Sequence, residues 1–374
     1  MRFPEFSGEW EKYVLTEFVE RVTRRNKGNE CKLPLTISAQ YGLVDQITFF
    51  NKIIASDDMS NYYLLTNGDF AYNKSYSSEY PWGAIKRLDR YEYGALSSLY
   101  ICFRPLNHVS SDFLTHYFET KKWHQGISEI AVEGARNHGL LNIGIQDFFA
   151  TKHYLPQSIL EQEKIACFLN LIEERIRLQN KIIEDLKKLK SAISLKMLHS
   201  DSWEQFKIQD IASIGRGRVI SSVEISQQEN PLYPVYSSQT SNDGIMGYLD
   251  DFMFEGEYIS WTTDGANAGT VFYRNGKFNC TNVCGLLKLK KGFDAHFVSL
   301  VLAEATRMYV STNLANPKLM NNTMGNIQIR LPKLEEQKRI SVVFRKLHGL
   351  LETHNSLIIK YSKQKQYLLS QMFI

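Results

Sequence analysis

The sequence predicts an α+β protein in which two globular domains alternate with two long helices that pair with each other, as an internal repeat. Two stretches built on the same plan support this prediction, "LPQSILEQEKIACFLNLI" from Leu155 and "LPKLEEQKRISVVFRKL" from Leu331. Each opens a heptad pattern of apolar residues, and each follows a segment rich in glycine, aromatic residues and short alternating runs. One chain therefore contains the same kind of unit twice.

Length and composition indicate a folded protein of more than one domain. The chain has 374 residues, of which 43% are hydrophobic and 22% are charged, and its formal net charge is +4. A chain of this length is too long for one ordinary hydrophobic core, which suggests more than one domain. The mild positive charge is compatible with a nucleic-acid partner without requiring one. The opening "MRFPEFSGEWEKY" lacks a signal-peptide core, and no run approaches the ~20 apolar residues of a membrane helix. We therefore expect a cytoplasmic protein without membrane contact.

The globular domains are predicted over residues 1–154 and 201–330. "WEKYVLTEF" at Trp10 matches "WEQFKIQDI" at Trp203, and "NGDFAYNKS" occupies the place of "EGEYISWTT". Short alternating runs such as "GTVFYRNGKFNC" are typical of β-hairpins. Each domain also contains a short helical pattern, "SSDFLTHYFETKKWHQ" in the first and "DAHFVSLVLAEATRMYV" in the second. The copies diverge freely between these landmarks.

The long helices are predicted over residues 155–200 and 331–374, where apolar residues recur in alternating steps of four and three. Leu-Pro before each helix fits because proline is tolerated in the first helical turn or ahead of it. Aligning Glu161 with Glu336 gives an offset of 175 residues. The predicted coiled-coil seam consists of Ile165, Leu169, Ile172, Ile176, Gln179, Ile183, Leu186, Lys190, Ile193 and Met197 in the first copy and of Ile340, Phe344, Leu347, Leu351, His354, Ile358, Tyr361, Lys365, Leu368 and Met372 in the second.

This seam continues for more than four heptads, as in coiled-coil helices. Its polar positions coincide, since Gln179 aligns with His354 and Lys190 with Lys365. Because a polar seam residue fixes register and partner, the coincidence predicts that the helices pair with each other, in parallel or antiparallel orientation. The alternative is two ordinary core helices in separate domains, but helices of this length seldom stay buried within one compact domain.

Motifs for catalysis or metal binding are weak throughout the chain. The Glu-x-Lys sequences of the long helices are better explained as acidic residues that complement the helix dipole. Cys280 and Cys284 form a C-x3-C pair without the second pair or nearby histidines of a zinc site, so we expect buried thiols. The sequence therefore predicts no catalytic residue, no metal site and no cofactor bound by this chain.

The residue patterns instead favour nucleic-acid binding. Arginines lie in the glycine-containing turn "SIGRGRVISS", and basic residues occupy the equivalent place in "VTRRNKGN". Basic side chains on a flexible backbone suit phosphate contact, and loops rich in hydroxyl and amide groups suit base edges. A single pair of arginines would be ordinary solvated surface, but the pattern recurs in both copies. The candidate DNA-binding residues are Arg24, Arg25, Lys27, Asn73, Lys74, Ser75, Arg216, Arg218, Ser237, Ser238, Gln239, Trp261, Thr262 and Thr263.

On these residues, the chain resembles the specificity subunit of type I restriction–modification systems. The resemblance rests on "FPEFSGEWEKYVL", on "LNIGIQDFF" with the first long helix, on "YPVYSSQTSNDGIMGYLDDFMFEGEYISWTTDGANAGTVFYRNGKFNCTNVCG", and on "LPKLEEQKRI" through "LLSQMFI". It covers nearly the whole chain, and the doubled Leu-Pro/Glu-Gln helix is specific to that family. It implies two target-recognition domains, each reading one half of a bipartite DNA target. It also implies antiparallel helices that set the spacer and dock the methyltransferase subunits.

The resemblance further implies a non-catalytic subunit whose partners are double-stranded DNA, two methyltransferase subunits and restriction/translocase subunits. S-adenosylmethionine, ATP and Mg²⁺ would be bound by the partner subunits, and the complex would methylate adenine at N6 and cleave DNA with ATP. A fused nuclease–methyltransferase partner is a related alternative. No contact residue is carried over, because contact residues in the family vary with the target.

The predicted helix length suggests how a split site could be measured. About 40 residues at 1.5 Å each give roughly 60 Å, or on the order of 18 base pairs of duplex. Two dissimilar domains on such a spacer would read an asymmetric site, and their affinities would combine through effective concentration. A coiled-coil scaffold presenting two protein-recognition modules is the alternative function. An enzyme acting alone on DNA is a third, disfavoured by the absence of catalytic motifs.

Overall fold

The structure is a computed structural model that describes residues 1–52, 54–130, 141–311 and 316–373. Two compact units divide the chain: unit 1 comprises Met1–Asn180 with Ser356–Ile374, and unit 2 comprises Lys181–Asn355. Each unit contains helices and strands, which confirms the predicted α+β class. The unit boundaries fall inside the long helices, so the predicted domain boundaries, which assign each helix whole, stay a prediction. No helix in the described ranges has both the length and the apolar character to cross a membrane.

The first copy of the repeat has short strands and helices followed by one long helix. In chain order its elements are β1 (Glu11–Val14), β2 (Val19–Arg21), β3 (Pro34–Ser38), β4 (Gly42–Asp45), α1 (Gln46–Phe50), β5 (Tyr63–Thr66), β6 (Phe70–Asn73), β7 (Ala84–Arg87), β8 (Tyr93–Leu96), β9 (Ile101–Pro105), α2 (Ser111–Tyr117), α3 (His124–Ile130), α4 (Ile145–Phe149), β10 (Lys152–Leu155) and α5 (Ile159–Met197).

The second copy follows the same plan. Its elements are β11 (Glu204–Lys207), α6 (Ile208–Ile211), β12 (Ala212–Arg216), α7 (Ser222–Ser226), β13 (Tyr233–Tyr236), β14 (Ile245–Leu249), β15 (Phe254–Glu255), β16 (Tyr258–Thr262), β17 (Val271–Arg274), β18 (Lys277–Cys280), β19 (Cys284–Leu289), α8 (Ala295–Ala305), α9 (Asn321–Asn326), β20 (Gln328–Leu331) and α10 (Leu334–Met372). Single 3-10 turns lie at Leu15–Glu17, Lys27–Asn29, Ser241–Gly244 and Thr306–Met308.

Strand order is the same in both copies. The sheets of unit 1 have the orders β2-β9-β6-β7 and β4-β3-β8-β5, and those of unit 2 have the orders β12-β19-β16-β17 and β14-β13-β18-β15. Even the parallel pairing of β3 with β8 recurs as β13 with β18. The internal repeat therefore extends to strand topology, including stretches where the two sequences have diverged.

A two-stranded antiparallel ribbon joins each globular part to its long helix. β1 pairs with β10 and β11 pairs with β20, so the strand that opens each copy lies beside the strand that leads into the helix. The matched tryptophans have matched neighbours: the rings of Trp10 and Phe113 lie edge-on at 5.9 Å, and those of Trp203 and Phe297 at 5.8 Å. The two "WE" motifs thus anchor equivalent parts of the two cores.

The repeated Glu-Gln pair places a buried glutamine at the start of each long helix. In unit 1, Nε2 of Gln162 donates to the Pro156 carbonyl oxygen at 2.9 Å, and Oε1 accepts from the Ser110 N–H at 2.9 Å. Ser110 is the N-cap of α2. One side-chain amide therefore joins the long helix, the proline ahead of it and the short helix of the same unit.

Unit 2 repeats this arrangement with different cap chemistry. Nε2 of Gln337 donates to the Pro332 carbonyl oxygen at 2.8 Å, and Oε1 accepts from the Asp294 N–H at 3.0 Å. Asp294 caps α8. We refer to Gln162 and Gln337 as the bridging glutamines.

The long helices α5 and α10 span 39 residues each, and every predicted seam position is buried or half-buried. In unit 1, Ile165 and Leu169 near the start of α5 share a core with Leu368 and Met372 near the end of α10. In unit 2, a second core contains Leu198, which directly follows α5, and Ile340 and Phe344 near the start of α10; Ile193 and Met197 at the end of α5 pack against this core. Within each unit the two helices therefore run antiparallel.

The polar seam residue Lys365 lies in an ion cluster of unit 1. Its Nζ is 2.6 Å from Oε2 of Glu119 and 2.5 Å from Oε1 of Glu173 on α5. Burial acts to raise the pKa of Glu119, but Lys365 and Lys86 hold it below its usual value. His116 completes the cluster, with Nδ1 at 3.7 Å from Glu173. Lys365 thus gives both carboxylates a positive partner, and Lys86 gives Glu119 a second one at 3.8 Å.

Candidate nucleic-acid interface

Three groups of predicted residues in unit 2 converge on the β18–β19 turn (Thr281–Val283). The N–H of Thr281 donates to the Tyr236 carbonyl oxygen at 2.9 Å. Tyr236 directly precedes the loop that contains Ser237, Ser238 and Gln239, which we call the serine loop. The Arg218 N–H donates to the carbonyl oxygen of Cys280, just ahead of the turn, at 3.1 Å. The Thr263 N–H donates to the carbonyl oxygen of Val283, the last residue of the turn, at 3.1 Å. The structure therefore brings together segments that lie far apart in the sequence.

Sheet topology explains this convergence. β12 and β16 both run antiparallel to β19, which lies between them, so the segments that follow β12 and β16 leave the sheet at the same end. A Cβ atom on Gly217 would lie 1.7 Å from the Cys280 carbonyl oxygen, so the arginine-containing turn requires glycine there. Cys280 and Cys284, which flank the β18–β19 turn, are buried free thiols, as predicted.

The two arginines of this turn are oriented by neutral and acidic partners. Nε of Arg216 donates to Oδ1 of Asn321 at 2.9 Å. Nη1 of Arg218 donates to Oε2 of Glu224 at 3.0 Å, and this hydrogen-bonded pairing lowers the pKa of Glu224 and raises that of Arg218. Both guanidinium groups are partly exposed and have further N–H groups, so they can contact phosphate from held positions.

A buried arginine that the sequence analysis missed fixes the serine loop. Ser237, Ser238 and Gln239 are half-buried, and their loop ends in a tight turn at Asp243, where φ is +52°. The guanidinium of Arg274 donates from Nη1 to Oδ2 of Asp243 at 2.7 Å.

Further contacts hold Arg274 itself. Its guanidinium carbon lies 3.6 Å from the ring centroid of Tyr236 and 4.4 Å from that of Phe272, and its Nε donates to Ser260 at 3.0 Å. Only 2% of the Arg274 surface is exposed. In "VFYRNG" the alternation assigns Arg274 to one face of β17, but nothing local indicates that this face is buried. The long-range partner Asp243 is therefore not visible in the sequence.

Trp261, Thr262 and Thr263 do not lie on the surface. They are 0%, 1% and 1% exposed, and the Trp261 indole N–H donates to the Leu319 carbonyl oxygen at 2.9 Å. Their hydroxyl-rich sequence suggested an exposed loop, but β16 is a central strand with β19 on one side and β17 on the other. We therefore assign them to the core that supports the β18–β19 turn, which corrects their selection as residues that touch DNA.

In unit 1 the basic candidates follow β2, and their partners differ from those in unit 2. The Arg25 guanidinium stacks over the Tyr63 ring at 4.3 Å and donates to the Asn61 carbonyl oxygen at 2.5 Å. Arg24 forms an exposed ion pair with Glu30 at 3.1 Å, and Lys27 is exposed in its 3-10 turn. Arg24 and Lys27 are therefore available to solvent, whereas Arg25 is held.

The second group of candidates in unit 1 follows β6. Oδ1 of Asn73 accepts from the Ser75 N–H at 2.9 Å, which shapes the turn; Asn73 and Lys74 are half-buried and Ser75 is exposed. β2 and β6 both run antiparallel to the intervening β9, so this turn and the one after β2 lie toward the same end of the sheet. Equivalent ends of the two copies thus present polar and basic side chains.

Comparison with known proteins identifies relatives that are named as type I specificity subunits. The family profile of the type I restriction modification DNA specificity domain matches residues 200–360. A Mycoplasma pneumoniae protein named as a type I specificity subunit is 41% identical over 177 residues, which cover 46% of this chain and 73% of that protein. The specificity subunit of the type I restriction enzyme MpnII from the same organism is also 41% identical over 177 residues, covering 46% of this chain and 53% of that protein.

Solved structures show the same fold over the full described length. The S subunit of a type I restriction–modification system from M. genitalium superposes with a TM-score of 0.68 at 15% identity, covering 100% of this chain and 99% of that one. A chain from a study of complex assembly and conformational transition of the type I R-M system gives a TM-score of 0.54 at 15% identity, covering 98% of each chain. At this identity, the likeness concerns the fold.

Proposed function

Because this chain belongs to the family of type I restriction–modification specificity subunits, we propose that it recognises a bipartite DNA sequence for a methyltransferase and restriction complex. The observation that carries this proposal is the repeated sheet topology, which presents basic and polar turns at equivalent sheet ends in both copies. Two similar domains with different turn residues suit a split site whose halves differ.

The two domains each read one half of the target in this proposal. Residues 1–154 form the first recognition domain and 201–330 the second, and residues 155–200 and 331–374 form the connecting helices. The proposed contact residues are those exposed or half-buried at the sheet ends: Arg24, Lys27, Lys74, Ser75, Arg216, Arg218, Ser237, Ser238 and Gln239. Arg25, Asn73 and Arg274 hold these turns in position.

The chain is a non-catalytic subunit, since catalysis in type I systems belongs to partner subunits. We assign S-adenosylmethionine, ATP and Mg²⁺ to those partners, which are methyltransferase subunits docked on the long helices and restriction/translocase subunits. The substrate of such a complex is chromosomal or invading DNA, and we therefore place the protein in the cytoplasm.

The long helices set the spacing between half-sites in this proposal, and an insertion tests it. One heptad inserted after Gln179 in α5 and one after His354 in α10 preserve the seam and lengthen both helices by about 10 Å, or roughly three base pairs. With the methyltransferase subunits present, mapping of methylated adenines should show unchanged half-sites and a spacer about three base pairs longer.

One control variant and two contrary outcomes define the test. Replacing seven existing residues with the same heptad, without insertion, should leave the spacer unchanged. An unchanged spacer in the inserted variant contradicts the role of the helices in spacing. Weak, salt-insensitive DNA binding by the assembled complex would instead favour the protein scaffold, because a DNA reader loses affinity steeply as salt rises.

A further inference from the structure

The segment Met1–Gly8, which precedes β1, packs into a groove of unit 1. The guanidinium of Arg2 forms two hydrogen bonds to the carboxylate of Glu161, from Nε and Nη2, each 2.7 Å long. Glu161 is 1% exposed, and it also accepts from the Trp10 indole N–H at 3.3 Å. Arg2 therefore neutralises a carboxylate that the fold has buried at the start of α5.

An aromatic and an acidic residue complete the contacts of this segment. The Phe3 ring meets Phe168 of α5 edge-on at 6.0 Å, and the Nζ of Lys164 lies 4.8 Å from the Phe3 centroid. Lys164 also forms an ion pair with Glu5. The groove of unit 1 thus binds a sequence of the form Arg–aromatic–x–acidic.

The corresponding place in unit 2 is an open cavity of about 890 Å³, which we call the unit 2 groove. Its lining includes Trp203, the counterpart of Trp10, and Lys196, the counterpart of Gln371. In unit 1, the carbonyl oxygen of Gln371 accepts a hydrogen bond from the Met1 amine. From α10 come the counterparts of the three groove residues of α5: Glu336 for Glu161, Arg339 for Lys164 and Val343 for Phe168. The volume falls within the ~300–1,000 Å³ typical of ligand pockets.

The unit 2 groove is open because the second copy has no counterpart of Met1–Gly8. When Trp10 is aligned with Trp203, the positions of Arg2 and Phe3 fall on Leu195 and Lys196, which are part of α5.

The side chains of the groove reflect this difference. Glu336 is exposed where Glu161 is buried, and Trp203 is half-buried where Trp10 is 6% exposed. In the described ranges, the side chains of Glu336 and Arg339 have no hydrogen-bond or ion-pair partner. Both charges are therefore available to an incoming group.

We propose that the unit 2 groove binds a peptide segment of a partner protein with the sequence chemistry Arg–aromatic–x–acidic. Its arginine pairs with Glu336, its aromatic ring lies against Val343 and the Trp203 side, and its carboxylate pairs with Arg339. Charge complementarity supports this occupant, and so does the occupied groove of unit 1, where an acidic and a basic residue, Glu161 and Lys164, stand at the equivalent positions three residues apart. The proposal does not depend on DNA recognition.

A peptide with the sequence of Met1–Gly8, "MRFPEFSG", is the probe. Titrated into the intact chain by isothermal titration calorimetry, it should bind with one site per chain. Glu336→Arg should weaken binding at least tenfold, as should an Arg2→Glu change in the peptide. Combining the two changes should restore affinity, because the ion pair is re-formed with reversed charges. Glu335→Arg is the matched control, since Glu335 lies on the same helical turn outside the groove lining and should leave affinity unchanged.

Other outcomes overturn the proposal. Absence of saturable binding at millimolar peptide, or binding that Glu336→Arg does not alter, excludes this role for the groove. If the chain alone sediments as a dimer that Glu336→Arg dissociates, the occupant is the leading segment of a second copy, and the partner-protein assignment is wrong. All variants alter exposed side chains, so a matched unfolding curve verifies that each is folded. The test contains no DNA, so its failure leaves the proposed function untouched.

Discussion

Replacing the bridging glutamine Gln337 with methionine should destabilise unit 2 markedly. Methionine has a similar volume, so the change removes two hydrogen bonds without opening a large cavity. It leaves the Pro332 carbonyl oxygen and the Asp294 N–H without their partner, and Gln337 is only 1% exposed, so water does not readily replace it. At ~1–3 kcal/mol for each of these two buried unsatisfied groups, we expect a loss of roughly 2–6 kcal/mol in unfolding free energy.

Urea unfolding of the intact chain measures this loss, and hydrogen exchange localises it. The amide of Asp294 and the first turn of α8 should lose protection first, because the bridging glutamine fixes the N-cap. Gln162→Met should have the same effect at Ser110 and α2 in unit 1. Gln364→Met, at an exposed position of α10, should change stability by less than about 0.5 kcal/mol. A change below ~1 kcal/mol for Gln337→Met, with unaltered urea dependence, would refute the bridging role.

Three further predictions follow from buried charged or titratable groups. Arg274→Met should release the Ser237–Gly244 loop, so discrimination among substituted DNA targets should fall about tenfold at one half-site and stay intact at the other, measured by methylation with partner subunits. Burial lowers the pKa of His153 to about 4, below the unfolded value near 6.5. Neutral His153 therefore contributes its full stabilisation above pH ~6.5, and the free energy of unfolding falls by up to roughly 3 kcal/mol as the pH drops toward 4. Unfolding measured as a function of pH should show this loss, and His153→Gln should abolish the loss. Lys365→Met should cost about 2 kcal/mol at neutral pH, because Glu173 then loses its lysine partner and Glu119 keeps only Lys86, at 3.8 Å. Adding Glu119→Gln should recover part of this loss in the same unfolding assay.

Patterns among neighbouring residues were enough to predict the two long helices. The heptads place the long helices over 155–200 and 331–374, and the structure has them at Ile159–Met197 and Leu334–Met372. Strand order was not predictable, because the pairing of β3 with β8 depends on contacts between residues about 60 positions apart. The role of the Glu-Gln pair was missed for the same reason, since the partner of Gln162 is Ser110.

The candidate site shows the same division between local and distant information. Glycine and arginine marked the turn after β12, because that chemistry is written in consecutive residues. Trp261 was misplaced, because "SWTTDG" reads as a polar loop unless the strands on both sides are known. Arg274 was missed because its partner Asp243 lies on a different loop.

The composition of unit 1 has a consequence for how the protein is made. Its core contains Trp10 and Phe113, and it also contains Met372, the last residue of α10, and Phe373, which follows it. Unit 2, in contrast, is the uninterrupted stretch Lys181–Asn355. On the ribosome, the core of Met1–Asn180 must therefore wait for residues that follow Asn355, and the stretch Lys181–Asn355 can complete its core earlier. Until then the apolar groups of the leading domain are uncovered, which makes this period the time when a chaperone is most needed.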